Sequence, residues 1–118
     1  MSSDVTIYHN PRCSKSRETL ALLQEHGVVP EVVLYLDTPP DKATLKNLLK
    51  MLGMTSAREL MRHKEALYKE LNLADPSLSE EDLLAALVAH PKLIERPVVV
   101  HNGKARIGRP PELVLEIV

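Results

Sequence analysis

The stretch HNPRCSKSR, residues 9–17, contains the only cysteine of the chain, Cys13. A thiol is nucleophilic only as the thiolate, and nearby cations and the free N–H groups of a helix start both lower its pKa. Arg12, Lys15 and Arg17 flank Cys13, and a helix is predicted to begin within a residue or two of it. Such N–H groups can also hold a tetrahedral oxyanion. The stretch therefore predicts nucleophilic attack and anion binding at one site.

Two other uses of Cys13 compete with this one. Free cysteines are often small buried apolar residues, but the charged neighbours of Cys13 favour the reactive thiolate. A structural zinc site needs four ligands, whereas the five histidines are scattered and there is no second cysteine. We expect no metal. Four histidines show no partner spacing and are predicted to lie on the surface: His26, His63, His90 and His101.

The elements that must position Cys13 follow from the hydrophobic pattern. VTIYH (5–9) predicts a strand that ends at Asn10-Pro11, and SKSRETLALLQEHG predicts a helix that ends at Gly27. EVVLYL (31–36) predicts a second strand. A second helix, which ends at Gly53, has core-facing leucines at the spacing i, i+3, i+4, i+7: Leu45, Leu48, Leu49 and Leu52. The chain thus opens in the order β-α-β-α.

The middle of the chain is predicted to be helical and the end to return to the sheet. Helices are expected near 56–62, 64–71 and 79–89, where capping-box pairs are Ser56 with Glu59 and, less closely, Ser79 with Asp82. RPVVVHNGKARIG (96–108) has Asn-Gly between two β-rich runs, which predicts a hairpin. PPELVLEIV then predicts a last helix with proline in its first turn.

Length and charge limit the class of protein. A chain of 118 residues fits one domain, so we predict a single domain over 1–118. The formal net charge of −1 gives no bulk attraction to nucleic acid or to an anionic membrane. The sequence does not begin like a signal peptide and has no apolar stretch long enough to span a membrane. Its single cysteine cannot form an internal disulfide, which fits a reducing compartment. We therefore expect a cytoplasmic protein without nucleic-acid or membrane partners.

Several blocks together resemble a known family. YHNPRCSKSRETL is similar to the H-N-P-x-C-x-x-S-R signature of the glutaredoxin-dependent (ArsC-like) arsenate reductases. VVLYLDTPP, ARELMR, ERPVVV and RIGRPPELVLEI match later blocks of that family in the same order, over nearly the whole chain. The resemblance is especially close to short bacterial members without the C-terminal tail. It implies an α/β, thioredoxin-like fold: a mixed sheet of about four strands with a helical insertion.

The resemblance also implies roles for individual residues. The family's nucleophile corresponds to Cys13, and its three oxyanion-binding arginines correspond to Arg62, Arg96 and Arg109. The supporting residues of the active-site loop are His9, Asn10, Ser16 and Arg17, and Pro97 resembles the thioredoxin-fold cis-proline. Considered without the resemblance, Arg62 could equally complement a helix dipole, and His9 could equally be a packed histidine.

The implied activity is reduction of arsenate to arsenite, as in arsenic detoxification. Thiolate attack would give a covalent Cys13–arsenate adduct. Because the chain has one cysteine, the two electrons must come from external thiols: glutathione attacks the adduct, and glutaredoxin resolves the mixed disulfide. Arsenate, glutathione and glutaredoxin are thus the expected partners of a monomer that binds no cofactor and uses glutathione as co-substrate.

Two alternatives remain open at this stage. Related proteins are thiol-dependent reductases of other substrates. Spx-like relatives are regulatory binding modules rather than enzymes, but those usually have C-x-x-C, which this chain lacks. A binding module would turn over no oxyanion, so an arsenate reductase assay separates it from the enzyme.

Overall fold

A computed structural model describes residues 5–118, so the first four residues of the predicted domain lie outside the described part. The chain forms two compact units. The first, the sheet unit, extends to Thr38 and resumes at Arg96–Val118, and the second, the helical unit, spans Pro39–Glu95. One domain over 1–118 stays a prediction.

The sheet unit contains four strands. These are β1 (Thr6–Tyr8), β2 (Glu31–Val33), β3 (Val98–His101) and β4 (Lys104–Ile107). Their order is β2-β1-β3-β4, with β1 and β2 parallel and the other two pairs antiparallel. The predicted α/β class and the mixed four-stranded sheet are confirmed, and the long helical segment between β2 and β3 is the insertion of the thioredoxin-like fold.

Helix α1 (Ser14–Glu25) links β1 to β2, and a 3-10 helix (Pro111–Glu116) follows β4. Both helices contribute to a hydrophobic core against the sheet. This core is aliphatic because the chain has neither Phe nor Trp. The buried residues of this core are Val5, Ile7, Leu23, Val99, Val114 and Ile117. The core thereby packs the second half of α1 against the strands.

The predicted hairpin is present between β3 and β4. Asn102 and Gly103 have φ values of 53° and 75°, the left-handed conformation that a tight two-residue turn requires. Cross-strand pairing continues from His101↔Lys104 to Val98↔Ile107. The start of β3 and the end of β4 therefore lie side by side.

The helical unit contains α2 (Lys42–Leu52), a 3-10 helix (Ala57–Leu60), α3 (Ala66–Glu70), α4 (Glu80–Ala89) and a 3-10 helix (Pro91–Leu93). Helix α2 ends at Gly53 in the left-handed conformation, φ 73°, as predicted. Of its four leucines, Leu45 and Leu48 are fully buried and the other two half-buried. Both predicted capping boxes form, at Ser56 with Glu59 and at Ser79 with Asp82.

Three elements differ from the sequence prediction. β2 ends at Val33 rather than residue 36, because its partner β1 stops before Pro11, and the N–H groups of Asp37 and Thr38 turn back to the Leu34 carbonyl. The segments predicted as helices near 56–62 and at the C-terminus are 3-10 helices. The first begins at a capping box and the second at a proline, and 3-10 turns are common in connecting segments of this kind.

Within the described range, none of the helices combines the length and the apolar character needed to cross a membrane.

Candidate active site

One edge of the sheet brings the predicted site residues of the sheet unit together. Tyr8 at the end of β1 is paired with Val98 at the start of β3, and Val98 is paired with Ile107 at the end of β4. The loop after β1, the segment before β3 and the segment after β4 therefore emerge at the same edge. These three segments contain Cys13, Arg96 and Arg109, respectively.

Cys13 is the N-cap residue of α1, as the sequence predicts. Its backbone is extended, with φ −95° and ψ 124°, and its carbonyl accepts the N–H of Arg17 at 3.0 Å. Its own N–H donates to the Asn10 carbonyl at 3.0 Å, which closes a tight turn after the strand. The side chain is 8% exposed. The sulfur is thus sheltered, yet it lies at the positive end of a helix dipole.

The pKa of the Cys13 thiol is below its ordinary value. Burial raises this pKa, but the backbone N–H of Ser16, the charge and side chain of Arg96, and the backbone N–H of Lys15 all lower it. The Cys13 side chain makes no capping hydrogen bond to the first turn, so these N–H groups act by stabilising the anion from nearby. The net direction favours the thiolate, the form that attacks.

Arg96 and Arg109 are held next to each other and next to the sulfur. Arg109 Nε donates to the Arg96 carbonyl at 2.8 Å, and Arg109 Nη2 lies 3.6 Å from Cys13 Sγ. The Arg96–Pro97 peptide bond is cis, as the resemblance implies, and the Arg109–Pro110 bond is cis as well. The sheet edge thereby places two guanidinium groups around a thiolate.

Gly108 is a positioning residue that sequence reasoning missed. A Cβ at this residue would lie 2.9 Å from Pro97 Cγ and would clash with Thr19 Oγ1. The missing side chain lets the segment before Arg109 pack against α1, while the Gly108 N–H donates to the Pro97 carbonyl at 2.9 Å. A lone glycine just after a strand was the available signal, because such glycines often mark close backbone approach.

The supporting residues of the active-site loop form a hydrogen-bonded turn. Ser16 Oγ is 2.6 Å from His9 Nδ1 and accepts the Asn10 N–H at 3.0 Å, while Asn10 Oδ1 accepts the Arg12 N–H at 3.0 Å. Arg17 Nη1 donates to the Pro11 carbonyl at 2.9 Å. The side chains of this loop therefore bind the loop itself and fix the backbone that precedes Cys13.

His9 and Ser16 are both buried. Burial lowers the pKa of His9, and the nearby charge of Arg17 lowers it further. The imidazole is accordingly neutral near neutral pH. This neutral ring packs beneath the loop and adds no charge to the site, so the positive charge near the sulfur comes from other groups.

The predicted origin of that charge needs a correction. Arg12, Lys15 and Arg17 are close to Cys13 in sequence, but the Lys15 ammonium is 3.6 Å from Glu18 and the Arg17 guanidinium binds the Pro11 carbonyl. None of these three side chains is among the groups that shift the thiol pKa. Side chains of the first helical turn project outward, whereas Arg96 approaches from the sheet edge.

Arg62 belongs to the helical unit. Its Nη1 is 2.7 Å from Glu65 Oε2, and its Nε is 4.0 Å from Glu95 Oε1. The strand-like pairing of Met61 with Ile94 holds this segment, and the Arg62 N–H donates to the Leu93 carbonyl at 2.7 Å. Its role as the third oxyanion ligand stays a prediction.

Among residues 5–118, no three His, Cys, Asp or Glu side chains stand close enough together to hold a metal ion. The chemistry that this sheet edge supports is attack by a cysteine thiolate on an anion held by guanidinium groups and helix N–H groups.

Replacement of Ser16 tests the turn before Cys13. We expect Ser16→Ala to lower the free energy of unfolding by about 1–3 kcal/mol, because it removes the partner of the buried His9 Nδ1 and of the partly buried Asn10 N–H. The measurement is urea-induced unfolding. Ser14→Ala, at an exposed position of the same turn, is the control and should change stability by less than ~0.5 kcal/mol. Equal losses would show that the Ser16 hydroxyl does not hold the loop.

Replacement of Arg96 tests the source of the thiolate. Since the folded-state pKa of Cys13 is lowered, its alkylation rate should reach half-maximum at a lower pH than that of an ordinary cysteine. Arg96→Gln should raise that midpoint because the anion loses a cation. Lys15→Gln is the control, since it removes an ammonium but keeps the backbone N–H, and should leave the midpoint in place. An unmoved midpoint in Arg96→Gln would contradict the assignment.

Comparison with known proteins agrees with this geometry. Residues 8–117 match the ArsC family. YfgD of Escherichia coli (strain K12), whose name states no activity, is 76% identical over 118 residues, which are 100% of this chain and 99% of that protein. A protein of Neisseria meningitidis (serogroup A) named arsenate reductase is 56% identical over 109 residues, 92% of this chain and 93% of that protein.

A solved structure gives the same result for the fold. The structure named arsenate reductase from Vibrio cholerae is 59% identical, covers 100% of both chains and has a TM-score of 0.97. The family match and the structural match both extend over nearly the whole chain, and the chain belongs to the ArsC family.

Proposed function

We propose that this protein reduces arsenate to arsenite through a covalent Cys13–arsenate adduct that is resolved by glutathione and glutaredoxin. The observation that supports this most directly is that the buried Cys13 thiol lies at a helix start next to the guanidinium groups of Arg96 and Arg109. The names of the Neisseria and Vibrio relatives supply the substrate.

The first step is attack by the Cys13 thiolate on arsenic. Near neutral pH arsenate resembles phosphate and carries more than one negative charge, so a thiolate approaches it only if cations offset the repulsion. Arg96 and Arg109 supply that charge, and the guanidinium fork matches pairs of oxygens on a tetrahedral anion. The S–As bond forms as an arsenate hydroxyl takes a proton and leaves as water. Arsenic is still As(V).

The second step transfers two electrons. A glutathione thiolate attacks Cys13 Sγ, an S–S bond forms, and the S–As bond breaks with its electron pair on arsenic. As(V) becomes As(III) and leaves as arsenite. A glutaredoxin thiolate then attacks the glutathione sulfur of the mixed disulfide and releases the Cys13 thiolate. External thiols are required because the chain has no second cysteine.

Arg62 enters the proposal from the family resemblance alone. Its carboxylate partners, Glu65 and Glu95, are about one quarter exposed, so a substrate oxyanion has to compete with them for the Arg62 guanidinium. A third cation would bring the positive charge around the substrate to about that needed to offset a doubly charged arsenate plus the thiolate.

The decisive experiment is a coupled assay with arsenate, glutathione, glutaredoxin, glutathione reductase and NADPH, with arsenite measured directly. We expect arsenite from the wild type and none from Cys13→Ser, because a serine hydroxyl stays protonated near neutral pH. Ser14→Ala is the control and should stay active. Turnover by Cys13→Ser would eliminate the nucleophile, and a wild type without arsenite would favour another substrate or a binding module.

Replacement of Arg109 tests the oxyanion site. We expect Arg109→Ala to lower kcat/KM for arsenate roughly tenfold, since one hydrogen bond to a charged group is worth about 1.5 kcal/mol. Arg109→Lys should also be impaired, because lysine lacks the planar fork. Arg106→Ala is the control, because it removes an arginine of the sheet unit whose Nε is 2.9 Å from Glu116 Oε1 rather than near Cys13. Equal kcat/KM values for both alanine variants would exclude Arg109 from the substrate site.

A further inference from the structure

A cleft of about 420 Å³ lies beside the loop that leads to Cys13. It belongs wholly to the sheet unit and is lined by the active-site loop on one wall and by the turn after β2 on the other. The two walls are joined by a hydrogen bond from the His9 N–H to the Val33 carbonyl, 2.9 Å. The cleft therefore sits at the carboxyl ends of the two parallel strands, a common place for ligands in α/β proteins.

The walls of the cleft differ in chemistry. Arg12 contributes a cation from the active-site loop, and Asp37 contributes a carboxylate from the turn after β2. Both side chains are exposed, and among the described residues neither takes part in an ion pair. Leu34 and Leu36 are 40% and 41% exposed and supply apolar surface. Such a cleft suits a ligand that has a carboxylate, an ammonium group and apolar surface between them.

The strand order sets this cleft apart from the arginines. In the order β2-β1-β3-β4, the Cys13 loop follows β1, the cleft lies on the β2 side of it, and Arg96 and Arg109 lie on the β3 and β4 side. A thiol that displaces arsenic from Cys13 Sγ must approach opposite the S–As bond. If the arginines hold the arsenate, the side opposite to them is the β2 side, where the cleft adjoins Arg12, the residue before Cys13.

We propose that this cleft binds glutathione, with a carboxylate on Arg12, the γ-glutamyl ammonium on Asp37, and the thiol directed to Cys13. The inference rests on the proposed function, in which an external thiol attacks the Cys13 adduct. Glutathione has the required groups, whereas a simple thiol such as 2-mercaptoethanol has neither charge.

Steady-state kinetics with varied glutathione test the cleft. Arg12→Gln and Asp37→Asn should each raise the KM for glutathione about two- to fivefold, the range for one exposed charge pair, without changing the KM for arsenate. Lys104→Gln, an exposed cation at the far end of β4, is the control and should leave both KM values unchanged. If both cleft variants had the same KM for glutathione as the wild type, the proposed glutathione site would be wrong.

Modified thiols identify the group that each residue contacts. Esterification of the glycine carboxylate of glutathione should raise the wild-type KM, and Arg12→Gln should then add no further loss if Arg12 binds that carboxylate. With glutathione N-acetylated at its γ-glutamyl amine, Asp37→Asn should likewise cause no further increase in KM. With 2-mercaptoethanol, both variants should match the wild type. Equal losses with every thiol would mean that the substitutions disturb the loop, which would overturn the proposal.

Binding without turnover separates this inference from the proposed function. Glutathione titrated into Cys13→Ser without arsenate should shift the amide resonances of Asn10, Leu34 and Leu36, and Arg12→Gln in that background should weaken the binding. These shifts, together with a wild type that makes no arsenite in the coupled assay, would support the cleft and refute the arsenate reaction. No shifts at millimolar glutathione, or shifts confined to other regions, would overturn the cleft even if arsenite is formed.

Discussion

A sheltered thiolate must have positive charge around it, and the architecture of the sheet unit meets that requirement. Burial alone would keep Cys13 protonated, since a low-dielectric surrounding disfavours the anion. Two sources reverse this: the N–H groups at the start of α1, which every helix leaves without partners, and the guanidinium of Arg96. The first is local to the cysteine. The second depends on the sheet, because the β1–β3 register brings the start of β3 to the end of β1.

Neutral contacts keep these charged groups in position. Ser16 Oγ binds both His9 and the Asn10 N–H, so the loop before Cys13 is fixed from within the first turn of α1. Gly108 lets the segment before Arg109 lie against Thr19 and Pro97, which a methyl group would prevent. The cations near the sulfur thus depend on buried residues without charge, and changes at these residues should reach the site through geometry.

The sequence predicted what local rules determine. Gly53, the two capping boxes and Asn102-Gly103 act through their own backbone conformation and near neighbours, and all four predictions are confirmed. The position of Cys13 at a helix start is of the same kind. The end of β2 was predicted too late because it depends on where its partner β1 stops, which is a non-local fact.

The cations were harder to predict for the same reason. Sequence proximity pointed to Lys15 and Arg17, but one faces Glu18 and the other binds the loop carbonyl of Pro11. The cation that lowers the thiol pKa, Arg96, is far along the chain and is brought in by strand pairing. The family resemblance indicated its role beforehand, because composition and spacing do not encode which strands are neighbours.

The arginines assigned to the oxyanion differ in what balances their charge before substrate arrives. Arg109 contacts the Cys13 sulfur and the Arg96 carbonyl, whereas Arg62 is paired with Glu65 and Glu95 in the helical unit. An anion with more than one charge can compete with a carboxylate for such a guanidinium, because its larger charge attracts the cation more strongly. Binding of arsenate would then exchange one set of negative partners for another. If Arg62 joins Arg96 and Arg109 at the substrate as proposed, this exchange would leave no uncompensated cation when the anion departs.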